Sequence, residues 1–159
     1  MITRHQFRLC LLGLCLVLMA APGLKAQEVL PQLEAAMNSI DDGASAARQR
    51  LAVRRVIRDA EKSLEAIGES SERWALLEFL FRARQQLIAV DDDSKHRQAL
   101  LETCRELVKA PDDFAGLRLE ADLLLSQAEQ AKMGASTSER SEALRPFVER
   151  YVDTSAGSK

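Results

Sequence analysis

Few side chains in this sequence are of the right type and spacing to do chemistry. Asp91, Asp93 and Glu102 occupy the first, third and twelfth places of an acidic stretch. Those are ligand positions in loops that wrap a calcium ion. The sixth place of such a loop needs glycine for its sharp turn but holds His96, and the fifth holds the cation Lys95. Asp91, Asp92, Asp93 and Ser94 therefore read as a helix stop and the cap of the next helix. A basic cluster follows different logic. Arg48, Arg50, Arg54, Arg55 and Arg58 fall within eleven residues, and Arg50, Arg54 and Arg58, four apart, share a helix face. They could hold a phosphate or an acidic partner. The plainer reading, which we prefer, is a solvated face balanced by Asp59, Glu61 and Glu65.

Cys104 shares an apolar stripe with Leu100, Leu107 and Val108, which makes it a small core residue rather than a reactive thiol. His96 lies two helical turns away, about 12 Å at 1.5 Å per residue, too far for a Cys–His pair. Trp74 and Phe114 could line a ligand pocket, but core packing is the better reading because they occupy matching repeat positions. Carboxylate pairs such as Glu61 and Glu65 are what any soluble helix offers. With no Gly-rich phosphate loop and no nucleophile motif, no constellation specifies a reaction. The expectation is a protein that is not an enzyme, with no cofactor, no metal site and no catalytic residue. A domain that works through carboxylates alone, as enzyme or metal binder, is the alternative from another class.

The elements that position these residues begin with an N-terminal leader. Arg4, His5 and Arg8 give a basic start, Leu9 to Ala21 an apolar run, and Pro22 to Ala26 a breaker and small-residue exit. That order is a secretory signal. The run is shorter than the roughly 20 apolar residues of a spanning helix, so no membrane span is expected after cleavage. The cut falls after Ala26, dividing the chain into a signal peptide (1–26), a helical domain (27–151) and a tail (152–159). The protein is then secreted or periplasmic. Cleavage removes Arg4, Arg8 and Lys25 but no acid, which leaves the mature chain more acidic than the formal net charge of −2. An acidic chain is poorly matched to nucleic acid, which attracts excess Lys and Arg. Cys10 and Cys15 leave with the signal, so the mature chain, with only Cys104, forms no internal disulfide.

Apolar residues recur with helical period almost throughout, and no stretch alternates as a strand does. Helix one is expected over Leu30 to Ile40, with Pro31 near its first turn. Helix two runs from Ala44 to Ile67, with Gly68 as a left-handed stop. Helix three begins after Ser70 or Ser71 and runs to Val90; its broad apolar face suits two neighbours. Helix four covers Lys95 to Lys109. Helix five starts at Asp112 or Asp113 and ends at Gly134. Ser136 and Glu139 form a capping box for helix six, which Pro146 should kink or break. Short connections make neighbouring helices antiparallel hairpins. The fold class is all-α: antiparallel helical hairpins, tetratricopeptide-like or an irregular bundle of about five to six helices.

The pattern also recurs. Ile67, a loop and Trp74-Ala75-Leu76-Leu77 are echoed forty places later by Leu107, a loop and Phe114-Ala115-Gly116-Leu117, and Leu64 corresponds to Cys104. Leu144, Phe147 and Tyr151 suggest a third copy. With the closing residues Arg150-Tyr151-Val152-Asp153-Thr154-Ser155-Ala156, the stretch 67–156 resembles a tetratricopeptide-like helical-repeat segment of secreted bacterial envelope proteins. Val152 departs from it where proline would stand, and Gly157 where helix formers would resume. The resemblance implies a scaffold or protein-binding module. Similar helical pieces precede thioredoxin-like domains, but this chain has no Cys-x-x-Cys to carry a redox role. A leading helical segment of a longer envelope protein is the other reading. Because no covering helix is expected after Tyr151, the apolar side of helix six, with Leu144, Phe147 and Tyr151, becomes the expected surface for a protein partner or self-association.

Overall fold

The computed structural model describes residues 26–152, apart from Glu69 and Ala135. The leader and the tail beyond Val152 lie outside the described residues. Six α-helices follow one another: α1 (Ala26–Asn38), α2 (Ala46–Ala66), α3 (Ser71–Val90), α4 (Ser94–Leu107), α5 (Ala115–Met133) and α6 (Thr137–Tyr151). A short 3-10 turn, Asp112–Phe114, leads into α5. The described chain is all-helical, as its periodicity requires.

Ion pairs show how the helices run. Arg50 and Arg54, near the start of α2, pair with Asp91 just past the end of α3, while Glu61, further along α2, pairs with Arg84, earlier in α3. Numbers that rise along one helix as they fall along the other define an antiparallel pair. The same holds for α3 and α4, where Arg84 meets Ala99 and Thr103 while Asp91 meets His96 nearer the turn. It holds again for α5 and α6: Arg150 and Tyr151, at the end of α6, donate to Asp122 in the first half of α5, while Leu144, earlier in α6, shares a cleft with Gln130 and Ala131 near the end of α5.

α3 is the spine. Its Leu76, Leu80, Ala83 and Leu87 join Leu33 of α1 and Val53, Val56, Ile57 and Ala60 of α2 in one core. Its Leu77 and Phe81 join Leu100, Cys104 and Leu107 of α4 and Leu117 and Ala121 of α5 in a second. A helix buried on two sides needs the broad apolar face its sequence carries. Trp74 and Phe114 both pack, half-buried, against the second core.

The helix ends show what stops each element. Asp93 caps α4, its carboxylate accepting from the Lys95 amide at 2.8 Å. Ser136 and Glu139 form the capping box: Glu139 Oε2 accepts from the Ser136 amide and hydroxyl, both at 2.7 Å. Gly134 ends α5 in the left-handed region, at φ 64°. Gly68 does not play that part at the end of α2. Ile67 leaves the helix extended, at φ −95° and ψ 125°, and packs against the first core. Burial of that side chain directs the exit, so no left-handed residue is needed. α1 starts earlier than expected, which places Pro31 beyond its first turn; Val29 and Leu30 pack on the first core and draw that turn into the helix. α6 continues through Pro146 without a break.

Candidate functional site

Arg54 and Arg58 of the basic cluster and His96 meet where α2, α3 and α4 converge. With Ile57, Glu61, Arg84, Leu87 and Ala99 they line a groove of about 260 Å³, and Asp91 of the acidic loop lies just outside, bonded to Arg54 and His96. Ile57, Leu87 and Ala99 contribute the apolar part, and three guanidiniums stand against one carboxylate. Two of the three are tied down. Arg84 reaches across from α3; its Nη1 donates to the Ala99 carbonyl at 3.0 Å and to the Thr103 hydroxyl, and its Nη2 donates to Glu61 Oε1 at 2.6 Å. Its side chain is only 16% exposed, so one cation ties α2, α3 and α4 together. Arg54 Nη2 donates to Asp91 Oδ2 at 2.9 Å and lies 2.8 Å from His96 Nε2. Its Nε is buried without a partner. Arg58, exposed at the rim, has no hydrogen bond or ion pair with the described residues.

This arrangement changes the reading of the cluster. Arg50 and Arg54 are balanced across helices by Asp91, not along their own helix by Asp59, Glu61 or Glu65. Glu61 is taken by Arg84. Register between antiparallel helices decides these pairs, because it brings residues 23 to 41 positions apart face to face. Asp91, Asp93 and Glu102 do not come together: Asp91 holds the two arginines and His96, Asp93 caps α4, and Glu102 accepts from Gln98. The Lys95 amide is the main reason the Asp93 carboxyl is held below its ordinary pKa. No group of three His, Cys, Asp or Glu side chains among the described residues could hold a metal ion. Cys104 is fully buried, and burial pushes its thiol up to about 11.

Arg84 belongs to none of the clusters or motifs of the sequence. Its signal was a cation standing at helical spacing between Leu80 and Leu87, an apolar stripe position that a charge occupies only when it is paired.

The far end of the molecule is built differently. α6 rests on α5, and a cleft of about 340 Å³ between them is lined by Leu123, Gln127, Gln130, Ala131 and Leu144. Leu144 is 46% exposed, and Phe147 is half-buried beneath the Arg150 guanidinium. Tyr151 does not belong to an open surface. It is buried, its hydroxyl donates to Asp122 Oδ2 at 3.2 Å, and Arg118 lies over its ring. Burial and the Asp122 carboxylate raise its pKa. Asp122 on α5 supplies the acceptor that lets a tyrosine turn inward.

Compared with family models, with curated proteins and with solved structures, the chain matches none.

Proposed function

We propose that this chain is an exported helical protein-interaction module, secreted or periplasmic, that works by binding rather than by catalysis. Antiparallel hairpins in series support a tetratricopeptide-like scaffold, as does the placement of Leu64, Leu77, Trp74, Cys104, Phe114 and Leu117 around one core. Among the described residues no helix is long and apolar enough to cross a membrane.

The observation that carries the reading is the α5–α6 cleft with Leu144 exposed beside it. A large apolar side chain gains roughly 1.5–3 kcal/mol on full burial, so Leu144 next to an apolar cleft favours a second surface laid over both. In sedimentation equilibrium the protein is expected to associate as its concentration rises, and Leu144→Glu to return it to monomer with unchanged helicity. In dilute protein, α6 amides should exchange faster than those of α5. A monomer at every concentration, with α6 as protected as α5, overturns the reading.

Export has its own test. Mass spectrometry of the native secreted protein is expected to show Gln27 as the first residue. Intact Met1 in a membrane fraction would reverse it.

A further inference from the structure

The groove between α2, α3 and α4 is independent of the α5–α6 surface, and its charge is unbalanced. Arg54, Arg58 and Arg84 face only Glu61 within it. Asp91, just outside, is matched by Arg50 as well as Arg54. The lining therefore keeps an excess of two positive charges, in a chain whose formal net charge is −2. The larger hollow between α1 and α2, about 500 Å³, lacks this property, since its Arg48 and Arg55 face Asp41 and Asp59.

We infer that the groove is a binding site for a phosphate dianion, free or carried as a monoester. Guanidinium forks recognise phosphate by paired, charge-assisted hydrogen bonds. Arg58 supplies such a fork, with all five N–H donors uncommitted. Arg54 adds its unengaged Nη1. Arg84 commits three of its five donors to Glu61, Thr103 and Ala99 and supplies chiefly fixed positive charge. A dianion neutralises the excess. Glu61 repels any charge beyond that, so the site disfavours more highly charged anions. At about 260 Å³ the groove lies just below the usual 300–1,000 Å³ of small-molecule pockets, which suits a phosphate group with a small carrier. Ile57, Leu87 and Ala99 provide a surface for that carrier.

The test is calorimetric titration of the purified chain above neutral pH, where the phosphate is a dianion. The probes are inorganic phosphate and, separately, glycerol phosphate. Saturable binding of either is expected, and the tighter of the two identifies free or esterified phosphate as the source. Arg58→Ala should weaken it by about tenfold or more, the effect of losing a hydrogen bond to a charged group. Arg58 is exposed, so its loss leaves the helices intact, as circular dichroism will confirm. Arg48→Ala, on the other side of α2, should leave binding unchanged. No saturable binding overturns the site. So does equal weakening by Arg48→Ala, which would mean diffuse attraction to a basic helix, and so does citrate binding as tightly as phosphate.

Discussion

Phe81→Ala is expected to destabilise the protein by about 3–5 kcal/mol, the range for truncating a buried aromatic side chain. Phe81 has no exposed surface and sits at the centre of the second core, against Cys104, Leu107, Leu117 and Ala121. The cost depends on whether the neighbours can close the hole, and here they cannot move freely. α3 is packed on its other side by α1 and α2, and Arg84, one turn along, fastens it to both α2 and α4. Collapse around residue 81 would break those bonds or open the first core. The Arg82 guanidinium, 5.1 Å from the ring centroid, also loses its aromatic partner. Against a total stability of about 5–15 kcal/mol for a domain, the change should lower the melting temperature by about 10 °C or more. Urea unfolding of the variant should show a lower midpoint with an unchanged slope. Leu51→Ala, at a residue 65% exposed, should stay within about 0.5 kcal/mol. A loss at Phe81 no larger than that at Leu51 would mean that α3 is not the spine of the fold.

The features legible in the sequence are those decided within one helix or its ends. The width of the apolar face on α3 requires burial on two sides. Ser136 and Glu139 are three apart and cap each other, and Gly134 stops α5 because only glycine enters the left-handed region cheaply. Periodicity also placed Cys104 in the core. What the sequence did not show is decided between helices. Arg84 could be seen to interrupt a stripe, but its partners Glu61 and Thr103 follow only from the register of three helices. The same is true of Asp91, which reads as a helix stop and proves to be the acceptor for Arg50, Arg54 and His96. Tyr151 shares a helical stripe with Leu144 and Phe147, yet its hydroxyl reaches an acceptor 29 residues away and the ring follows it inward. A polar tip lets one member of an apolar stripe take a different environment from the others, and periodicity cannot register that difference.

The groove shows the same division. The five arginines were visible as a cluster, and their helix face could be drawn from spacing alone. Whether they balance one another's neighbours or leave a net field was not visible, because the compensating carboxylates come from other elements. Antiparallel packing gives Asp91 to two of them and withdraws Glu61 toward Arg84. Arg58 is then left at the rim of a concave surface. That remainder, rather than the abundance of arginine, distinguishes the groove from a solvated face.

Cys104 should react with a thiol reagent at least about a hundredfold more slowly in the native protein than in denaturant. The thiolate is the reacting species. Burial raises the thiol from an ordinary value of 9.0 to about 11, and a rise of that size cuts the thiolate fraction near pH 8 by about two powers of ten. Access adds to the effect, because Cys104 is fully enclosed by the second core. The same shift makes stability depend on pH. The folded chain holds the thiol proton more tightly than the unfolded chain, so this contribution is fully present below the unfolded pKa near 9. It is lost as pH rises toward 11, at about 1.4 kcal/mol for each unit of pKa difference. Tyr151, raised by burial and by Asp122, titrates with the same sign. Comparison with Cys104→Ala isolates the thiol: the variant is destabilised by its cavity at neutral pH, yet should lose less further stability between about pH 9 and 11 than the wild type. Rapid native labelling, or parallel alkaline losses in both proteins, would place the α4 stripe at an open surface instead of between α3 and α5.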